Sequence, residues 1–251
     1  MKTSESFLEH YKGNESFVAR VQDWINQAER YHKPIVTPFL NETECFIVEK
    51  ICGKQIPYRF DGGSKDATLK RVIFFDEDGF SLVVCLVATF NTKFETISHR
   101  DVLGSLMNIG IERNQIGDLW VDDNRIVCYT TDTQGDYIIQ NCTRIKRSTI
   151  QFSESPIHYE QVIKKEKFTV TISSERLDNV VSAMMQKSRT IAQEYIQSQK
   201  VRVNHEILEE TSKLCNNGDT ISIRGVGKFI YLGKIKTTRK DRYLVEFEKY
   251  R

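Results

Sequence analysis

Ser174-Glu175-Arg176-Leu177-Asp178, then Lys187-Ser188-Arg189, then Lys200-Val201-Arg202-Val203-Asn204, then Asn217-Gly218-Asp219-Thr220-Ile221 is the stretch that decides how this chain is read. Ser174 stands ahead of residues 175–186, where Leu177, Val180, Val181 and Met184 recur at helical spacing. Ser188 is suited to cap a second helix running to about Ser198, with Ile191, Ala192, Tyr195 and Ile196 inward. Val201 and Val203 flank Arg202 in the two-residue alternation of a strand. Asn217-Gly218-Asp219 turns into a strand over 220–224, Gly225-Val226-Gly227 interrupts it, and residues 228–232 resume it. Residues 236–243 read as a basic hairpin around Lys240-Asp241. The expectation is a short helix pair followed by a small β-sheet.

This order and these residues resemble the S4 RNA-binding domain. The family pattern of R-L-D, S-R-x-x-A, V-x-V-N and G-D is met at Arg176-Leu177-Asp178, at Ser188-Arg189 with Ala192, at Val201-Arg202-Val203-Asn204 and at Gly218-Asp219. The residues expected to bind RNA are Arg176, Asp178, Ser188, Arg189, Lys200, Arg202, Asn204, His205, Arg224 and Lys228, with Lys200, Arg202, Arg224 and Lys228 extending the charge of Arg176 and Arg189 across the sheet edge. Arg176 and Arg189 lie near helix starts, where backbone N–H groups also favour phosphate. Asp178 is expected to orient one of these arginines, and Leu177, Val201 and Val203 to be core. Two positions depart from the family. Gln199 stands where a glycine usually precedes the V-x-V-N strand, and a left-handed backbone there costs Gln roughly 1 kcal/mol. His205 replaces the common glycine after Asn204.

Charge supports an RNA-facing C-terminal end. Residues 168–251 carry 15 Lys+Arg against 10 Asp+Glu, a net of +5; the remaining 21 and 24 leave the rest at −3, within a whole-chain net of +2. Hydrophobic residues at 39% and charged residues at 28% of the 251 describe a chain able to bury cores. The apolar run Leu82–Ala88 is the length of a buried strand, and the ~20 residues needed to span a bilayer are nowhere met. The start, Met1-Lys2-Thr3-Ser4-Glu5, lacks the pattern of a signal peptide. The six cysteines include no C-x-x-C pair, so buried free thiols in a reducing, cytoplasmic compartment are expected.

Upstream, Phe17, Val18, Val21, Trp24, Ile25 and Ala28 predict a helix over 15–31, ended by Pro34 and Pro38. Asn41-Glu42-Thr43-Glu44 reads as a turn or cap before the element 45–52. A strand is expected over 56–60, a turn at Asp61-Gly62-Gly63-Ser64, and a short helix over 65–70. Strands over 72–75 and 80–89 are expected to form a hairpin around Asp76-Glu77-Asp78-Gly79. Ser98 and Asp101 have capping-box spacing, with Val102, Leu103, Leu106 and Met107 on one face. A hairpin around Asp122-Asp123-Asn124, a helix over 136–142 and a strand over 145–152 complete a ferredoxin-like or RRM-like segment. Pro156 and Lys164-Lys165-Glu166-Lys167 read as a linker. The expected fold class is α+β: an N-terminal segment 1–71, an RRM-like domain 72–160 and an S4 domain 168–251.

No catalytic residue, metal site or cofactor is expected. His99-Arg100-Asp101 points three ways on a helix, and Asp61-Gly62-Gly63-Ser64-Lys65 lacks P-loop spacing. The middle segment lacks the aromatic RNP pattern of an RNA-stacking sheet. Further basic patches are sought at Lys65, Lys70, Arg71 and Arg144-Ile145-Lys146-Arg147.

The whole chain is similar to the YlmH family of bacterial S4 proteins. The resemblance is carried by residues 71–75, by the H-R-D-x-L-G-x-L-x-x-x-G-I stretch from His99 to Ile111, by Ile116-Gly117-Asp118-Leu119 and by Arg224-Gly225-Val226-Gly227-Lys228-Phe229. It implies a cytosolic, monomeric, non-catalytic protein that binds 23S rRNA or tRNA on the large ribosomal subunit, beside ribosomal proteins or quality-control factors. There it would hold peptidyl-tRNA during alanine tailing, with a weaker link to cell division. Alternatives are an RNA-modifying enzyme with its site in residues 1–165, and a cell-division adaptor.

Overall fold

In the computed structural model, which describes residues 14–54, 56–75, 79, 81–93, 95–161 and 165–250, the helical spacing at the start becomes α1 (Glu15–Tyr31), burying Phe17, Val18, Val21, Ile25 and Ala28. After β1 (Ile35–Val36) comes α2 (Glu42–Cys52). Its first turn is closed by a capping box: the Glu44 N–H donates to the Asn41 side chain, and the Asn41 N–H to the Glu44 carboxylate. β2 (Tyr58–Asp61) and β3 (Arg71–Phe74) complete an antiparallel sheet of order β1-β3-β2. Both helices bury their apolar stripes against Val72 and Phe74 of β3.

β3 therefore belongs to the first sheet and does not open the second segment. The expected hairpin partner, β4 (Val83–Thr89), pairs elsewhere; the expected turn lies, except for Gly79, outside the described residues. The helix expected over 65–70 is a run of turns and bends. The Thr68 and Leu69 amides that a helix would use donate instead to the Asp118 carboxylate, at 2.6 and 3.1 Å.

β4 is followed by α3 (His99–Asn108), β5 (Ile116–Asp122), β6 (Arg125–Thr131), α4 (Asp132–Asn141), the two-residue strands β7 (Arg144–Ile145) and β8 (Ser148–Thr149), and β9 (Ser153–Glu154). The sheet order is β5-β6-β4-β9, with all neighbours antiparallel. Strands one and three are central and strands two and four are at the edges, which is the ferredoxin-like arrangement expected. α4 starts at Asp132, four residues early, because the Thr131 hydroxyl accepts the Gln134 N–H and caps it there. The strand expected over 145–152 is broken by a tight turn with Lys146 at φ 52°, although Ile145, Ile150 and Phe152 still enter the core.

One face of this sheet buries Leu86, Ile126 and Cys128 under Val102, Leu106 and Ile138 of the helices. The other face carries Val83, Cys85, Trp120, Val127 and Tyr129, packed with Phe39 and with the partly buried Leu69 and Tyr159. Ile116-Gly117-Asp118 is the joint between the two sheets. A Cβ on Gly117 would lie 2.7 Å from the Phe39 ring, and Asp118 holds the 68–69 backbone as above. Gly63, at φ 79°, passes so close to Tyr129 that a Cβ would lie 2.5 Å from its ring. Residues 1–161 accordingly form one compact unit, and 162–251 a second.

In the second unit, β10 (Lys165–Ile172), α5 (Leu177–Met185), α6 (Arg189–Gln197), β11 (Val201–Val203), β12 (Glu206–Ile207), β13 (Thr220–Ile223), β14 (Gly227–Thr237) and β15 (Tyr243–Tyr250) build a six-stranded antiparallel sheet of order β10-β15-β14-β13-β11-β12. The helix pair covers one face over Val201, Val203, Ile221, Ile223, Phe229, Tyr231, Val245 and Phe247. Residues 165–167, expected in a linker, are the start of β10: Lys165 pairs with Tyr250 and Lys167 with Glu248. An edge strand needs only one apolar face, supplied here by Phe168, Val170 and Ile172.

All six cysteines are free, and all but Cys45 are buried. Burial pushes the Cys128 and Cys215 thiols up to about 12, so neither is a nucleophile at neutral pH.

Gly117→Ala will force a methyl group into the Phe39 ring and should lower unfolding stability by about 1–3 kcal/mol. Urea denaturation of the full chain measures this; an unchanged midpoint would show that the joint is loosely packed.

Candidate nucleic-acid interface

The backbone of the second unit first fixes where its cations point. Arg176 is the N-cap of α5, and Asp178 is the helix's second residue. The α5 amides of Leu177 and Asp178 donate to the carbonyls of Lys213 and Thr211, at 2.8 and 3.1 Å. These N–H groups are therefore spent inside the fold, and the phosphate contact expected of them falls to the side chains. At α6, the Ser188 hydroxyl accepts the Ile191 N–H, so Ser188 serves as the cap. The turn out of α6 is left-handed at Gln199, φ 58°, with Gln199 N–H to Ile196 O and Lys200 N–H to Tyr195 O. That is the Schellman geometry in which glycine is the usual residue.

The centre of the site is Asp178, whose side chain is fully buried. It accepts from Arg176 Nε and Nη2 at 3.3 and 3.2 Å, from Arg189 Nε and Nη2 at 3.0 and 2.8 Å, and from Gln193 Nε2 at 3.0 Å. Burial works against ionisation, but these donors outweigh it and hold the carboxyl below its usual range. The two arginine side chains remain 36% and 48% exposed. A buried anion thus fixes two cations at the surface, each with donors left for phosphate or 2′-OH oxygens. Sequence reasoning missed Gln193. It lies four residues after Arg189, on the same side of α6, and that spacing was the available signal.

The other expected residues are not all on this side. Lys200 stands with the helices, its ammonium 5.0 Å from the Tyr195 ring centroid. Arg202 alternates with buried Val201 and Val203, so it faces away from the helices. It lies opposite Ser222, and Ser222 lies opposite Lys228. Lys228 is 4.9 Å from the Tyr250 ring centroid on that outer face. Arg224 is exposed just beyond β13, its N–H bound to Lys200 O. Asn204 and His205 form the two-residue β11–β12 turn with φ 48° and 72°. The Asn204 side chain donates to Asp219 at 2.8 Å and accepts the Thr220 N–H at 2.9 Å, locking the turn to β13. His205 O accepts from Arg202 at 3.4 Å.

In the first unit, the sheet face that stacks bases in RNA-binding RRM folds is closed. Trp120 and Tyr129 are only 7% and 0% exposed. The Tyr129 hydroxyl accepts the Tyr159 N–H and donates to Tyr159 O, both at 2.8 Å. Of the cations considered there, Arg71 is structural: it donates to Thr37 O and Leu82 O, at 2.9 and 2.8 Å. Lys146 donates to Thr96 O and pairs with Asp101 at 3.2 Å. Lys65, Arg144 and Arg147 are exposed. His99-Arg100-Asp101 is a cap with surface charge, Asp101 closing the box with Ser98. Among the described residues no three His, Cys, Asp or Glu side chains are grouped to hold a metal ion, and no helix is long and apolar enough to cross a membrane.

A buried carboxylate presenting two arginines from a helix pair, set on a small sheet, defines an S4-type RNA-binding protein, and residues 175–221 match the S4 domain family model. Residues 76–159 match the model described as "Putative RNA-binding domain in YlmH". The chain is 28% identical over 252 residues to the ribosome-associated protein quality control protein P2 of Bacillus subtilis (strain 168), covering 96% of this chain and 97% of that one. Its fold is similar to that of the cell division protein ylmH from Streptococcus pneumoniae, with a TM-score of 0.50 at 22% identity over 58% of this chain and 92% of that one.

Asp178→Asn should cost roughly 1–3 kcal/mol at about pH 7, because the arginines lose their buried anion. A carboxyl with a depressed folded pKa contributes stability above its unfolded pKa and loses it as pH falls through the folded value. The gap between variant and wild type should therefore close in acid, and urea melts across pH will show it. A gap independent of pH would mean that the charge of Asp178 is not what matters.

Proposed function

We propose that this protein is a non-catalytic RNA-binding factor of the large ribosomal subunit that acts in ribosome-associated quality control. The observation carrying this reading is the Arg176–Asp178–Arg189 constellation, in a chain similar over nearly its whole length to a protein named for that process. In this reading the helix side of the S4 unit, with Arg176, Arg189 and Lys200, grips the phosphate backbone of 23S rRNA or tRNA. It keeps peptidyl-tRNA in place while alanine is added to the stalled chain. Positioning of this kind needs a fixed cationic surface and no proton transfer. The protein works in the cytoplasm as a monomer, without metal or cofactor, alongside ribosomal proteins or other quality-control factors. The covered RRM-like face contributes through shape and its rim, not through base stacking.

Sedimentation through sucrose gradients tests this. Wild type should travel with large subunits, most strongly when stalled peptidyl-tRNA is enriched. Arg176→Ala/Arg189→Ala should reduce the bound fraction about tenfold, and raised salt should release the wild type. Wild type remaining at the top of the gradient under stalling conditions would overturn the ribosomal reading.

A further inference from the structure

The family model for the S4 domain ends at residue 221, but the sheet does not. β14 runs for 11 residues, and β13 pairs only with Gly227 through Ile230. The last bonds on that side are made by Tyr231, its N–H to Asp219 O and its carbonyl from the Gly218 N–H. On the other side, β10 reaches β15 no further than the Ile172–Tyr243 pair. Residues 232–237 thus run past β13 as a free edge, still backed by β15 and β10, and the turn 238–242 alone extends past both neighbours; the end of β14 together with this turn forms a projecting ribbon.

Between 234 and 242 the ribbon carries Lys234, Lys236, Arg239, Lys240 and Arg242 against Asp241 alone, and all six are exposed. Among the described residues none of the five cations forms an ion pair. Their placement is two-sided. Lys234 lies opposite Val245, which points to the helix face; after a register shift, Lys236 lies opposite Leu244, on the reverse face. Lys234 is 4.2 Å from the Tyr243 ring centroid. The turn is closed by Thr238 N–H to Arg242 O at 2.7 Å and Arg242 N–H to the Thr238 hydroxyl at 3.1 Å. The Arg242 side chain donates to Thr171 O at 3.1 Å, tying the ribbon to β10.

Lysines that guard a free sheet edge would account for one or two of these charges, but not for Arg239 and Lys240 in the turn. A membrane surface would meet only one face. A protein partner would need an apolar patch, and Ile235, 53% exposed, is the one large apolar side chain exposed in the ribbon. Cations on both faces fit a partner with anions on both sides.

We propose that the β14–β15 ribbon is a second RNA contact. It enters a groove or junction where two phosphate backbones approach each other, so that both faces are neutralised at once. This rests on the RNA-binding reading above and adds to it a preference for folded over unpaired RNA.

The test uses the full-length chain and Lys236→Ala/Arg239→Ala/Lys240→Ala, with matching melting curves confirming that these exposed changes leave the fold intact. Fluorescence anisotropy follows binding to a labelled A-form RNA hairpin and to an unpaired pyrimidine strand of equal length, across a salt series. The triple variant should bind the hairpin about tenfold more weakly at moderate salt, with the log–log salt slope shallower by about 2 to 3. Its loss on the unpaired strand should stay below about twofold. If the variant keeps wild-type affinity and slope on the hairpin, the ribbon is not a contact, while the RNA-binding reading stands on the wild-type curve. Equal losses on both RNAs overturn the groove. If wild type binds neither these RNAs nor large subunits, the RNA-binding reading fails and the ribbon's role fails with it.

Discussion

Asp178 carries a negative charge where solvent does not reach its side chain, and the second unit is arranged around neutralising it. An ionised carboxylate cannot be buried without partners, and Arg176, Arg189 and Gln193 supply five donor contacts. Arg176 sits at the start of α5 and the other two on α6, so the one carboxylate sets how the helices meet. The first amides of α5 are bound to the 211–213 backbone, which ties the same corner to the chain leading into β13. Two long flexible side chains are thereby held in one conformation before any ligand arrives. A surface built this way loses little rotamer freedom on binding a phosphate backbone.

The cations of the unit fall into separate sets because a β-sheet has two faces. Arg176, Arg189 and Lys200 stand on the helix side. Arg202 and Lys228 lie in a lateral row on the reverse, where Tyr250 is flanked by Lys228 and by Lys165, whose ammonium is 5.0 Å from its ring centroid. The end of β14, past β13, and the turn into β15 carry a third set. A folded RNA that touched more than one set would have to wrap an edge of the sheet, and shape recognition of that kind suits structured RNA better than single strands.

The first unit shows a familiar topology put to a different use. Its ferredoxin-like sheet has aromatic residues on the face opposite its helices, as a base-stacking sheet would. Trp120 and Tyr129 are buried there by Phe39, Leu69 and Tyr159 from the same unit. The Gly117–Asp118 joint and the Gly63 turn are what let the first sheet approach so closely. The face is an internal interface, which is why the absence of an RNP pattern in the sequence and the covered face in the structure agree.

Much of this was legible in the residues. The periodicity of α1, the capping box at Ser98, the helix pair after Ser174 and the left-handed position at Gln199 are local features, each decided by side chains a few residues apart. The S4 motif likewise placed Arg176, Asp178 and Arg189 together, since they lie close in sequence. What the residues alone could not decide was pairing and facing. β3 joins the first sheet because Val72 and Phe74 fit beneath α1 and α2. Residues 165–167 become a strand because residues 248–250 of β15, far along the chain, offer them partners. Asn204 is bonded to Asp219, Arg71 is held by two carbonyls, and Arg202 is separated from Arg189, all through the way the chain folds. Short-range chemistry is written in the order of residues, whereas the side of a sheet on which a charge emerges depends on which strands meet, and only the folded chain brings them together.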